Sequence, residues 1–356
     1  MPTTIFKPNI TNDYDPIVFE CDSSYETWEE VLKYTLQAMY LIPGGFLNAL
    51  LLYTLWIKDA ATYRKSSFFM IFSADCLVSL ILIVCDVFVG RLFIYFTPLC
   101  PILAPLFYEP LVVYKFIMVL INHAKACKSL IQCLLVSNRM SAVLSPLNYG
   151  PAWNNLMKYA IPLVFLLPIT IDWNLAISRV YMMPTFGGFY MEYIKKVSWA
   201  SQSRFQLVFI ITALVFTGIC TSVTLYRLCR MPQRWWSKRG AEKSISIATV
   251  YISVGFISVG VFQVLFGFFG YLFTTSAIFG LYHLSYDFLN VGSPIIMILV
   301  DKKLRKSAFS GKSLQEEQVF SQSTMTREQA ERRRRRQRRR LRIQQRLDEI
   351  NSENRV

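Results

Sequence analysis

The residues of this sequence whose types and spacing promise chemistry are charged side chains set inside apolar stretches. Asp75 and Asp86, Lys125 and Lys128, Arg139 and Asp287 each stand among runs rich in leucine, isoleucine, valine and phenylalanine. A charge at the centre of a bilayer costs roughly 2.5–3.5 kcal/mol on insertion scales, so each should face a partner, water or a bound molecule rather than lipid. The sequence holds no zinc-ligand spacing, phosphate-binding glycine loop, nucleophile elbow or His-Glu-x-x-His, and its two histidines are His123 and His283. No enzyme activity, cofactor or metal is therefore expected.

The elements that must carry these charges are membrane helices. Of the 356 residues 53% are hydrophobic and only 17% charged, against about 25% charged in soluble domains. Apolar runs of about 20 residues, each long enough to cross the hydrocarbon core, recur through the first three hundred positions. Spans are predicted at about residues 35–57, 67–89, 111–137, 159–176, 205–228, 244–266 and 275–300. The fold class is thus all-α, a polytopic bundle of seven transmembrane helices. Residues 1–34 form a head and residues 307–356 a tail.

Basic residues follow the first span (Lys58, Arg64, Lys65), the third, the fifth (Arg227, Arg230, Arg234) and the seventh (Lys302, Lys303, Arg305, Lys306). The positive-inside rule then places the N-terminus outside and the C-terminus in the cytoplasm. The head is acidic, lacks a cleavable signal peptide, and carries a glycosylation acceptor at Asn9. Residues 90–110 contain Pro98, Pro101, Pro105 and Pro110 and read as an outer loop with a short re-entrant piece. Much of the net charge of +15 sits in the arginine run over residues 332–346. Backed by Leu341, Ile343, Leu347 and Ile350, this run reads as a basic amphipathic helix on anionic membrane lipids, gaining about 1 kcal/mol per basic residue. The rival readings are a nucleic-acid patch and a solvated charge run, and a nucleic-acid partner would leave the rest of the chain unexplained. Cys229, just past the fifth span, is a candidate for palmitoylation.

The stretch from Asn138 to Tyr149, with Arg139 at a span end followed by Pro146, Tyr149 and Trp153, resembles the end of the third helix and second inner loop of rhodopsin-like G-protein-coupled receptors. It is most similar to nematode serpentine chemoreceptors of class gamma. Three further regions match in order: Asn48 the first-span asparagine, Ser73-Ala74-Asp75 the second-span acid motif, and Ser293-Pro294 the seventh-span Asn-Pro motif. The resemblance implies a receptor at the plasma membrane, in sensory cilia, that binds a small odorant- or pheromone-class molecule and signals to a heterotrimeric G protein. Pairing with a second receptor is a further expectation.

The same resemblance implies roles for individual residues. Lys128 falls at the depth where the family's second-span acid holds a sodium ion, so a Lys128–Asp75 ion pair is expected in its place. Asp86, Lys125, His283 and Asp287 would face the ligand cavity; the bland alternative is that Lys125 simply neutralises Asp287 or Asp86. Glu242 would lock Arg139 at rest, with Ser293 and Pro294 part of the switch. Family members commonly join the third span to the second outer loop by a disulfide. Here that position is Tyr114 and residues 176–204 hold no cysteine, so Cys21 and Cys100 are expected to bridge instead.

The competing function class is a secondary transporter or channel, which also uses intramembrane Asp and Lys. That reading predicts inverted repeats, and none is visible.

Overall fold

The computed structural model describes residues 12, 14–146, 148–230, 240–269 and 276–310. The described residues up to Ala308 belong to one compact unit; a second begins at Phe309 and lies almost wholly outside them. Asn9, the arginine run, and the side chain of Glu242 also fall outside what is described.

Seven helices are long and apolar enough to cross a membrane: Thr27–Lys58, Ser67–Tyr95, Val112–Leu144, Tyr149–Ile177, Gln202–Arg230, Ser246–Phe266 and Ile278–Val300. Only helices or closed barrels satisfy every backbone group in lipid, which explains why these runs are helical almost end to end. The first starts eight residues before the predicted boundary, because Trp28 and Leu32 continue its apolar pattern through an acidic turn. The fourth starts earlier too, at Tyr149, and breaks near Pro168 into Tyr149–Leu166 and Ile169–Ile177. A short helix, Lys302–Phe309, follows the seventh span and runs past residue 307, where the tail was expected to begin. Leu304, Ser307 and Ala308 are its buried residues.

Residues 90–110, expected to form an outer loop with a short re-entrant piece, are largely helical. The second span runs on to Tyr95, and the prolines that suggested breakage sit at the first positions of short helical turns, Thr97–Leu99, Cys100–Leu103 and Ala104–Phe107, where a missing N–H costs nothing. The segment after the fourth span is an antiparallel hairpin of β1 (Arg179–Thr185) and β2 (Gly188–Ile194). Its two-residue turn puts Phe186 at φ 52° and Gly187 at φ 78°. Positive φ at both central positions suits the right-handed twist of the strands. Phe186 is held there by burial, with its ring 5.9 Å from Tyr25 and 5.5 Å from Phe279.

The hairpin packs into a cap. Phe189 is fully buried against Phe93 and Phe107, at 4.9 and 4.8 Å between ring centroids. Arg179 donates to the carbonyl oxygens of Asn12 and Asp15. Ile17 N–H donates to Tyr108 O at 2.9 Å, and Cys21 is bonded to Cys100 across a Cα separation of 6.0 Å.

The seventh helix is fastened to the first at two adjacent points. Gly44 leaves no room for a side chain, since a Cβ there would lie 2.6 Å from Val291. Pro294 has no N–H for the carbonyl of Asn290 four residues back; Asn48 Nδ2 supplies a donor at 3.1 Å.

Because the bridge closes a long loop, its loss should cost about 2–4 kcal/mol. Cys21→Ser or Cys100→Ser should therefore lower the thermal midpoint of the purified protein, and a peptide map without reductant should recover the two cysteines linked.

Candidate functional site

Under the cap lies a cavity of about 120 Å³, lined by the second, third, fifth, sixth and seventh helices and by β2. The third helix contributes Met118, Ile121, Asn122 and Lys125, the spacing of a single helical face. Gln202 and Gln206 reach it from the fifth helix, Gln263 and Phe266 from the sixth, Tyr282 and His283 from the seventh, Tyr190 and Glu192 from the hairpin. Burial pushes the Tyr190 phenol up to about 12, so it stays protonated and can donate. Burial also raises the Glu192 carboxyl above its ordinary value, against the Tyr193 amide, which lowers it.

Asp86, Lys125 and His283, expected in the cavity, line it; Asp287 does not. Lys125 Nζ stands over the rings of Tyr286 and Tyr282, 5.1 and 5.9 Å from their centroids. Neither expected partner makes a salt bridge with it among the described residues, because Arg91 has both: it ion-pairs with Asp287 and lies 3.7 Å from Asp86 Oδ2. Two buried polar atoms on the cavity-lining residues find no partner among the described residues, His283 Nε2 and Gln202 Oε1.

Arg91, which the sequence placed in an outer loop, is the buried charge beside the cavity that holds both acids. It is fully buried, donating to both Asp287 oxygens and, at 3.0 Å, to Gln37 Oε1. Tyr40 OH donates to Asp287 Oδ2 at 2.5 Å. The first, second and seventh helices therefore meet on one guanidinium. A π-helical turn, Asp86–Gly90, makes the geometry: Arg91 N–H donates to Asp86 O, five residues back. In a regular α-helix residues five apart point about 140° away from each other; the wider turn stacks them. The available signal was Leu92-Phe93-Ile94-Tyr95, an apolar run continuing past the arginine.

Deeper along the third helix, Lys128 Nζ lies 2.7 Å from Asp75 Oδ1 and donates to Ser79 Oγ at 2.5 Å. Ser293 Oγ donates to Asp75 Oδ2 at 3.1 Å, which brings the seventh-helix Ser293-Pro294 step onto the same carboxylate. Gln132, one turn on, reaches Ser253 of the sixth helix at 3.2 Å.

At the end of that helix Arg139 is buried rather than reaching for water, at 5% exposure. Its guanidinium donates to Asn138 Oδ1 at 2.6 Å and Tyr149 OH at 3.1 Å and covers the Phe68 ring at 4.3 Å. Asn138 in turn donates to Ser67 Oγ at 2.9 Å. The sequence reading gave Arg139 a partner on the sixth helix; its described partners are on the second, third and fourth.

Removing one member of a buried pair leaves a bare charge and costs about 3–5 kcal/mol. Arg91→Met and Asp287→Leu should each deplete the protein at the cell surface, and only the triple replacement that also converts Asp86→Asn, which strands no charge of the cluster, should recover most of it, as measured by surface labelling.

Residues 34–308 match the Srg family chemoreceptor profile. The chain is 58% identical to serpentine receptor class gamma-11 of Caenorhabditis elegans over 306 residues, 86% of this chain and 90% of that protein. It is 50% identical to serpentine receptor class gamma-14 of the same organism over 309 residues, 86% and 93% of the two chains. With serpentine receptor class gamma-16 it shares 40% over 296 residues, 83% and 90%. Seven apolar helices and this run of similarity make the chain a multi-pass membrane protein that belongs to the Srg family of serpentine chemoreceptors.

Proposed function

We propose that this receptor binds a small molecule in the cavity under the hairpin and couples to a heterotrimeric G protein at the opposite end of the bundle. The observation that carries the reading is the cavity wall itself. Lys125, Asp86, and the partnerless His283 Nε2 and Gln202 Oε1 all belong to residues lining one buried space. Buried polar atoms without partners are costly, and a ligand that hydrogen-bonds them removes that cost. At about 120 Å³ the space suits an odorant-sized molecule rather than a peptide, since a cavity of about 150 Å³ admits a single benzene ring.

The cap end faces outward in this reading and the Arg139 end faces the cytoplasm. The disulfide at the cap suits an oxidising compartment, and Lys58, Arg64, Lys65, Arg227 and Arg230 crowd the other end. Arg139, Tyr149 and Asn138 then form the face that a G protein would open. Ser293 and Pro294 lie between that face and the cavity, on the carboxylate that Lys128 holds. An ion-pathway reading draws less support, because Asp75, Lys128, Arg91 and Asp287 are spent in ion pairs with one another.

The test is calcium imaging of cells expressing the receptor against a broad panel of volatile and pheromone-like small molecules. For any active compound, Lys125→Met and His283→Phe should each raise the half-maximal concentration about tenfold or more, the loss of one strong hydrogen bond, at unchanged surface level. Unchanged potency in both variants would move the ligand site elsewhere.

A further inference from the structure

A second cavity, of about 320 Å³, lies at the far end of the bundle between the first, second and fourth helices. Trp56, Phe69, Met70, Leu77, Ile161 and Phe165 supply most of its wall. Of its polar lining, Ser73 turns its hydroxyl back onto Met70 O at 2.7 Å. The crevice follows the second helix from Phe69 to Leu77, about 12 Å at 1.5 Å per residue. It is open on the flank, where Trp56 is 44% exposed and Ile161 and Phe165 are partly so. Such a space on the lipid-facing side of a membrane helix offers water almost nothing to bond and so holds hydrocarbon.

Its end is marked by a charge. Arg64 lines the crevice, is exposed, and has one described hydrogen bond, from Nη2 to Trp56 O at 3.2 Å, which leaves most of its donor fork available. Lys65 beside it is exposed as well. Lys58, by contrast, is turned inward and donates to Ser307 O at 2.6 Å. We infer that this crevice is a binding site for one anionic phospholipid, with an acyl chain along Leu77, Ile161 and Phe165 and the phosphate on Arg64.

The chemistry selects that occupant. A planar guanidinium matches phosphate bidentately, and a sterol would leave it unused. Trp56 lies two residues before Lys58, the last residue of the first span, and indole rings are enriched at such span ends, where they suit the headgroup boundary. The orientation proposed above puts the site in the cytoplasmic leaflet, where anionic lipids are concentrated.

The full-length protein is purified in mild detergent, exposed to an equimolar mixture of phosphatidylserine and phosphatidylcholine with identical chains, and the retained lipids are counted by native mass spectrometry. Detergent abolishes sidedness, so the result does not depend on orientation or on ligand binding. Wild type should retain one phosphatidylserine in preference to phosphatidylcholine by about tenfold, because choline neutralises the phosphate that both lipids share whereas the serine headgroup stays net negative beside the exposed Arg64 and Lys65. Arg64→Gln should erase that preference, the loss of a charge-assisted contact to a net anionic headgroup. Leu77→Trp, which fills the crevice, should reduce retention of both lipids while the protein stays monodisperse. Equal retention of the two lipids by wild type, a preference that survives Arg64→Gln, retention untouched by Leu77→Trp, or displacement of phosphatidylserine by added sterol would each overturn the assignment.

Discussion

The structure depends most on the burial of Arg91. A guanidinium with no exposure to solvent is tolerable only where carboxylates surround it, and here Asp287 takes the full pair while Asp86 stands at 3.7 Å. Each of those acids would be as costly alone, so the three charges hold one another and bring the second and seventh helices into register. Tyr40 and Gln37 extend the network to the first helix. This is the side of the bundle where Gly44 meets Val291 and Asn48 meets Asn290, so a polar clamp and a close backbone approach lie along one seam. Asp86 also lines the cavity, so the network borders that space on one side and the seam of three helices on the other.

Seven spans were legible because lipid demands long apolar runs and the composition shows them. The Lys128–Asp75 contact also has a sequence signal: a lone cation and a lone anion at matched depth, each expensive unless paired. What escaped the sequence has identifiable causes. Arg91 read as the edge of a loop because prolines follow it, yet those prolines open short helical turns rather than ending structure. Its alignment with Asp86 required a π-helical turn, and no residue pattern announces one extra residue in a helix. The hairpin turn was hidden because Phe186 occupies a left-handed position usually taken by Asn, Asp or Gly. Burial among Tyr25 and Phe279, which only the tertiary structure supplies, compensates. Asp287 was expected in the cavity from the family resemblance; a shared position along the seventh helix does not reveal a partner such as Arg91, with which it pairs here.

The third helix joins the two ends of the molecule. Lys125, Lys128, Gln132 and Arg139 recur at steps of three, four and seven, so all four lie on one inward stripe. They contact, in turn, the tyrosines of the seventh helix, Asp75 of the second, Ser253 of the sixth and Tyr149 of the fourth. The stripe is rigid, since 33 residues form one uninterrupted helix. Its far end is Arg139, where the side chains of Asn138 and Tyr149 accept from the guanidinium and the Phe68 ring covers it. For a molecule in the cavity to change the other end, it has to favour one arrangement of this stripe over another, since equal affinity for both shifts nothing. Lys125 is the member able to supply that difference: it borders the cavity, rests on aromatic faces rather than in an ion pair, and so can move toward a new partner without stranding an acid. Lys128, locked onto Asp75 and through it to Ser293, resists the same movement. The two lysines, three residues apart on one face, thus differ in what holds them: aromatic rings for Lys125, an ion pair for Lys128.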